Sequence, residues 1–379
     1  MSLAIDSYER LETLTDDPDI LNLAWTVDER EHLGADLLEL CARELSAEVS
    51  GALPYLTSYL VKDPYGEGVL GPAVARHLGD RWEPVPVTCG AGVGPLLQSL
   101  VRLAGSAPVY VAGDVYPDLP HWVEAADGRC VGAGEKPGEK PDDDVVGAHV
   151  ARVRRHGARL VAMERPALTT DGFTDLAAVS RLCAELSADG VVVLVDESNA
   201  NYCPPGFSAA RLVSRTPNLI VVRGLSKAFG MGGLRLGYCL SAPALTGAVR
   251  RVVAPLLASS LSLRLGAAIL RSGDLAAPLR RRIAERRAEA GAALAAAGWP
   301  STTPASEFLP YHLLDDDPAG ALAALRGRGI VGKLHPVWSA SSGTRRLVAR
   351  LSVPLSDVRM ERLRHLLARS EQPLDRGEP

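Results

Sequence analysis

The middle of the chain constrains the fold most. Between residues 159 and 224 lie three apolar runs, RLVAM, VVVLVD and LIVVRG, and the segment TDLAAVSRLCAELSADG, with helical spacing of its apolar residues, separates the first two. Strands that are apolar at nearly every position, rather than at every second one, are buried on both faces. A mainly parallel sheet covered by helices provides that environment, so the pattern predicts an α/β architecture.

The rest of the chain extends this reading. ADLLELCARELS and GEGVLGPAVARHLG read as helices, PVPVTCGAGVGPLLQSLVRLAG as a strand, a glycine-rich turn and a helix, and VYVA as a strand. The stretch GRCVGAGEKPGEKPDDD, with its doubled GEKP, reads as a solvated loop, because glycine, proline and charge cannot build a core. Beyond Leu263 the pattern changes to LRRRIAERRAEAGAALAAAG and then to RRLVARLSV, which predicts a smaller α+β domain. A chain of 379 residues accommodates both units. The expected division is an N-terminal segment, 1–55, contributing to the small domain, a large domain at 56–264, and the small C-terminal domain at 265–379.

Composition narrows the partners. The 41 basic and 45 acidic side chains are interspersed, so neither a nucleic-acid footprint nor a membrane-surface patch is expected, and small molecules are. Six cysteines stand far apart with no CxxC pair, which predicts reduced thiols rather than disulfides or a zinc ribbon. The opening MSLAIDSYERLETLTDD lacks the positive charge and apolar run of a secretory signal, and no apolar stretch reaches 18 residues, so a cytoplasmic location is expected. The eight histidines form no ligand-spaced cluster, and no metal is predicted.

The chemistry concentrates in VVRGLSKAFGMGGLRLGY, Val221 to Tyr238. Here an apolar strand runs into Lys227, and an ammonium at the end of a buried strand is unfavourable unless something meets it. Asp196 ends the run VVVLVD, at the carboxyl edge where open α/β sheets bind ligands. Ser226 and Arg235 add a hydroxyl and a fork suited to a phosphate, while Gly232, Gly233 and Gly237 let backbone approach a ligand. An Asp196–Lys227 salt bridge is the plain alternative. A ligand with a phosphate, an electrophilic carbonyl and a basic ring nitrogen would satisfy all four side chains, and pyridoxal phosphate has those groups.

SKAFGMGGLRLGY resembles the lysine motif of fold type I pyridoxal-phosphate enzymes, in particular the class I/II aminotransferases and their histidinol-phosphate aminotransferase-like branch. The resemblance implies a three-layer α/β/α large domain with a mainly parallel sheet, plus a smaller α+β domain, assembled as a homodimer. It implies that Lys227 binds the cofactor's aldehyde covalently, that Asp196 keeps the pyridine nitrogen protonated, and that Ser226 and Arg235 hold the phosphate. The turn TCGAGVG is similar to the family's phosphate turn, which points to Ala91 and Gly92 at a helix N-terminus. Tyr116 is similar to the aromatic residue that stacks on the cofactor, with Trp122 as rival. Tyr65 resembles the tyrosine that reaches the partner subunit's phosphate, and Arg350 the arginine that clamps a substrate carboxylate, with Arg345 and Arg346 close by. Lys333 and His335 are candidates for the pocket rim or for surface.

Three departures accompany these matches. The family's asparagine turn has no asparagine here, the stretch reading MERPALTTDGF; a tyrosine expected three residues beyond Asp196 is Asn199; and the residue three before the lysine is Gly224 instead of Ser or Thr. Asn199 is the expected substitute for the lost contacts to the cofactor's ring oxygen, and altered contacts there would tune the chemistry. The leading expectation is therefore a pyridoxal-phosphate-dependent enzyme, aminotransferase-like, acting on an α-amino acid or an amino-acid conjugate. A lyase performing β-elimination or C–S cleavage, or a decarboxylating or oxidative deaminase of specialised metabolism, is the alternative on the same scaffold. A non-catalytic binding protein is the alternative of another class. A dinucleotide site is set aside, because CGAGVGP places Pro95 where a third glycine of G-x-G-x-x-G belongs.

Overall fold

The structure is a computed structural model that describes residues 19–51, 57, 59, 61–79, 82–113, 115–132, 144–168, 175–304, 306–314, 316–338 and 345–369. The doubled GEKP and the second half of MERPALTTDGF lie outside the described residues.

In chain order the strands are β1 (Leu21–Asn22), β2 (Val87–Gly90), β3 (Val109–Val111), β4 (Cys130–Gly132), β5 (Leu160–Glu164), β6 (Val192–Asp196), β7 (Leu219–Gly224), β8 (Gly237–Ser241), β9 (Tyr311–Leu314), β10 (Ile330–Val331), β11 (Lys333–Trp338) and β12 (Arg345–Ser352). The helices are α1 (Leu37–Ser50), α2 (Glu67–Leu78), α3 (Val93–Leu100), α4 (Leu119–Glu124), α5 (Val145–His156), α6 (Leu176–Ser187), α7 (Pro243–Val252), α8 (Ser260–Arg271), α9 (Ala277–Ala296), α10 (Pro318–Gly327) and α11 (Asp357–Leu367). Side-chain caps mark several helix starts: Asp175 accepts from the amide of Ala177, and Ser259 accepts from that of Ser262.

A seven-stranded sheet in the order β2-β8-β7-β6-β5-β3-β4 forms the centre. The pairs β3–β4, β3–β5, β5–β6 and β6–β7 are parallel, while β8 runs antiparallel to both β2 and β7. The three runs that opened the sequence reading are β5, β6 and β7. Alternation across the pleat sends Val161, Met163, Val193, Val195 and Val221 to the face covered by α1, α2, α5, α6 and α8. Leu160, Ala162, Leu194, Ile220 and Val222 go to the face covered by α3, α4 and α7. Each such side chain stabilises the fold by roughly 2 kcal/mol on leaving water, and the double coverage explains why these runs carry no polar alternation. The result is a three-layer α/β/α arrangement with a mainly parallel sheet.

A second sheet, antiparallel and ordered β11-β12-β9, lies in the C-terminal part, where α9, α10 and α11 contribute to its surroundings. The N-terminal segment joins this region: β1 pairs in parallel with β10, and Asp28 Oδ2 accepts from the amides of Leu355 (3.0 Å) and Ser356 (2.8 Å). Several elements were not anticipated in sequence, β4 and β8 of the central sheet among them. β4 was read as part of a loop, since it has three half-buried residues at the edge of the sheet, and β8 was hidden by its opening glycine and its position after a glycine-rich turn.

Candidate active site

The sheet's carboxyl edge assembles the site. β6 ends at Asp196 and β7 at Gly224, and a tight turn then delivers Lys227. Asn201, buried beside this turn, donates from Nδ2 to the carbonyl of Gly224 at 2.6 Å and fixes where the turn leaves the sheet.

Asp196 is 4% exposed. Its Oδ1 accepts from the amide of Ser198 at 2.8 Å, and its Oδ2 is buried with no partner among the described residues. Burial raises its pKa to about 6, against the opposing pull of the Ser198 hydrogen bonds and of Lys227. Lys227 has its pKa lowered, first by burial and then by the guanidinium of Arg350, while Glu164, Asp196 and Glu29 act in the opposite direction. The amine and the carboxylate singled out in sequence therefore share one electrostatic environment. A buried carboxylate oxygen without a donor suits a ligand that brings a protonated nitrogen, and a lysine with depressed pKa suits a carbonyl carbon.

The residues expected to hold a phosphate also converge. Arg235 adopts a left-handed conformation (φ 47°), and its guanidinium donates to the carbonyls of Gly232 and Ala91, both at 3.3 Å. Gly92 caps α3 with φ 107°, and a Cβ there would stand 2.8 Å from Nη2 of Arg235. A Cβ at Gly237 would fall 2.5 Å from the carbonyl carbon of Gly92, so the close approach of β8 to the helix start requires glycine. Ser226 is exposed and lies beside Gly232, where a Cβ would be 3.7 Å from its own. The first turn of α3, Arg235 and Ser226 thus lie close together, and helix-opening amides, a guanidinium and a hydroxyl are groups that can cradle an anion.

The other expected residues fall at varying places. Tyr116 and Trp122 stack on each other, with centroids 5.3 Å apart and planes at 12°, so the two rivals form one aromatic platform beside α3. Tyr65 is engaged within its own chain, donating from its hydroxyl to the carbonyl of Arg250 at 3.1 Å beneath that residue's guanidinium. Arg350, in β12, donates to the carbonyl of Ala24 at 3.0 Å and lies over the ring of Tyr311 at 4.4 Å. Lys333 pairs across the ladder with Arg350, and His335 with Val348. Asn199 donates from Nδ2 to Oε1 of Glu164 at 2.7 Å, while its Oδ1 is buried without a partner among the described residues.

Several surrounding residues went unnoticed in sequence. Glu164 ends β5 at the register position opposite Asp196. Glu29, 3% exposed, accepts from the hydroxyl of Tyr202 at 3.0 Å, and burial raises its pKa. On the opposite face of the sheet Glu197, fully buried, joins Arg223 at 2.6 Å and Arg165 at 3.3 Å. Strand register alone could have paired Glu164 with Asp196; the contacts of Glu29 and Arg165 depend on segments far away in sequence. Among the described residues no group of three or more His, Cys, Asp or Glu side chains is placed to hold a metal, and no helix is long and apolar enough to cross a membrane.

Comparison with known proteins places this geometry. A histidinol-phosphate aminotransferase of Cereibacter sphaeroides is 29% identical over 243 residues, covering 63% of this chain and 65% of that protein. An aromatic amino acid aminotransferase of Mycobacterium avium is 28% identical over 219 residues, covering 56% and 60%. The chain thus spans about two thirds or less of the length of these curated relatives. Among solved structures, histidinol-phosphate aminotransferase from Sinorhizobium meliloti in complex with pyridoxal-5'-phosphate superposes with a TM-score of 0.71 at 22% identity, covering 97% of this chain and 95% of that one, which establishes the shared fold. The family model described as Aminotransferase class I and II matches residues 68–331, a span that runs from α2 through the anion cradle, Asp196 and Lys227 to β10, and the chain belongs to that family.

Proposed function

We propose that this protein is a pyridoxal-phosphate-dependent aminotransferase acting on an α-amino acid or a conjugate of one. The observation that carries the reading is that Asp196, whose buried Oδ2 has no donor among the described residues, and Lys227, its pKa depressed, act on each other electrostatically at the sheet's carboxyl edge. The residues fit the cofactor: a carboxylate for the ring nitrogen, an amine for the aldehyde, a cradle for the phosphate and an aromatic platform. Family membership and the relatives' activities support the same conclusion.

When bound, pyridoxal phosphate supplies an aldehyde that captures amines and a ring that accepts the electron pair released at a substrate's α-carbon. Asp196 Oδ2 holds the proton on the ring nitrogen and so keeps the ring electron-poor. Ala91 and Gly92, through backbone amides, and Ser226 and Arg235, through side chains, hold the phosphate. Tyr116 supports the ring face together with Trp122. Lys227 would hold the cofactor's aldehyde and, when free, would move the proton at the substrate's α-carbon, a task for which a lowered pKa suits it. Arg350 binds the substrate carboxylate and thereby decides which α-carbon bond faces Lys227. Asn199 would serve the ring oxygen.

The same proposal covers assembly, location and domain division. Leu38, Leu45 and Val49 are exposed at helical spacing on α1, and Tyr59 and Val61 add exposed apolar surface nearby in the chain, which supports a homodimer in which Tyr65 serves the neighbouring site. Sedimentation should give a mass of about twice 40.1 kDa, and a monomer at micromolar concentration would remove this part of the reading. Six free cysteines support a reducing, cytoplasmic setting. Residues 56–264 would form the cofactor-binding unit, with 1–55 and 265–379 forming the smaller one.

A half-reaction tests the activity. The yellow loaded protein, mixed with single amino acids without oxygen, should lose its visible band as one equivalent of 2-oxo acid appears, and an added 2-oxo acid should restore it. Release of a 2-oxo acid with the band unchanged would identify a lyase instead, and a protein that takes up no cofactor would be a binding module.

A further inference from the structure

Two carboxylates, rather than one, end adjacent strands beside Lys227. Register pairs Glu164 with Asp196, and side chains at paired positions of parallel strands leave the sheet on the same face. Both therefore emerge on the face covered by α3, whose first turn belongs to the anion cradle, while Arg165, Glu197 and Arg223 emerge on the other. The functional reading above gives Asp196 a partner in the ring nitrogen and leaves Glu164 without a task.

Its contact to Asn199 supplies one. An amide that turns its nitrogen to a carboxylate at 2.7 Å must turn its oxygen elsewhere, and Oδ1 of Asn199 is indeed buried without a partner among the described residues. Reversing the amide would set a carbonyl against a carboxylate, two acceptors with no proton between them. Glu164 thus dictates which end of Asn199 faces the site. This matters because Asn199 is the expected donor to the cofactor's ring oxygen: with Nδ2 held by Glu164, only the second hydrogen of that nitrogen remains for such a contact, and Oδ1 can only accept.

We infer that Glu164 is a positioning residue: it locks the amide of Asn199 and sets a second carboxylate beside Asp196 at the strand ends from which the turn to Lys227 departs. The inference rests on the cofactor reading given above. Its electrostatic side agrees with the groups that face Lys227. Arg350 opposes protonation there, and of the three carboxylates that favour it, Glu164, Asp196 and Glu29, the effect of Glu164 is the largest. Asp196 is drawn toward Ser198, and Glu29 is engaged by Tyr202.

The test is a pH titration of the visible absorption of the loaded protein, which reports the proton on the Lys227 nitrogen, in wild type, Glu164→Gln and Glu164→Asp. Glutamine keeps the size and removes the charge, so the midpoint should fall by about one pH unit, a tenfold change in the protonated fraction. Aspartate keeps the charge and should recover most of the shift. For a variant that does not retain cofactor, the pH dependence of Lys227 acylation in the cofactor-free protein reads the same proton and should move in the same direction. A Glu164→Gln profile that coincides with wild type in either measurement overturns the inference. A wild-type protein that neither colours with pyridoxal phosphate nor incorporates label from borohydride overturns the underlying functional reading instead, so the two failures are distinguishable.

Discussion

Lys227→Ala is expected to lower turnover by about four orders of magnitude, with little change in the far-ultraviolet circular dichroism spectrum. The size follows from the role. A side chain that moves the proton at the reacting carbon contributes on the order of 10²–10⁴ in rate, and in the proposed role the same residue would also anchor the cofactor covalently. Structure should survive because the ammonium is held in a setting that disfavours its charge, by burial and by Arg350, so the fold does not depend on it. Single-turnover kinetics and borohydride labelling decide the matter together. A variant that still incorporates the label, or that turns over within about tenfold of wild type, would remove Lys227 from the mechanism.

The second large effect concerns stability. Glu197 is fully buried between Arg165 and Arg223, which are 2% and 1% exposed, and it also accepts from the hydroxyl of Ser208 and, at 2.6 Å, the amide of Ala209. Glu197→Ala would leave two guanidiniums in the interior without a counter-charge. Breaking a buried ion pair from one side costs about 3–5 kcal/mol, and here one carboxylate serves two cations, so the upper part of that range is expected. Because Arg223 also donates to Asn201 at 2.7 Å, and Asn201 holds the carbonyl of Gly224, the damage should extend to the turn that delivers Lys227. Thermal unfolding with and without cofactor would show a large loss of stability in both states. Replacing all three members by apolar residues of similar volume should recover much of it. An unchanged melting temperature for Glu197→Ala would mean that the network contributes nothing.

Legibility in the sequence depended on whether the relevant spacing was local. β5, β6 and β7 stood out because burial on both faces leaves a continuous apolar run, and α6 because its apolar residues repeat at helical spacing after the capping Asp175. Lys227, Ser226 and Arg235 could be grouped since they lie within one turn, and Asp196 because strand ends in such sheets face the site. Ala91 and Gly92 came from the likeness of TCGAGVG to the family's phosphate turn, and they stand just before α3, beside Arg235. The site's further carboxylates were illegible for a different reason. Glu164 becomes a neighbour of Asp196 only through strand register, and Glu29 meets Tyr202 across 173 residues of chain. The orientation of the Asn199 amide is likewise a matter of its partner: sequence could name the residue, but its hydrogen bond to Glu164 decides which end is offered. Tyr65 illustrates the same point, since its hydroxyl meets the carbonyl of a residue 185 positions later.

The clasp between Asp28 and the amides of Leu355 and Ser356 has a consequence for biosynthesis. It joins positions more than three hundred residues apart, and the same N-terminal segment carries Glu29 and the carbonyl that receives Arg350. On the ribosome, the central sheet can therefore condense while the early segment waits, and the pocket acquires its wall only once nearly the entire polypeptide has emerged. A chain made only as far as Ser241, the last residue of the central sheet, would hold Lys227 and Asp196 but not the strand that carries Arg350.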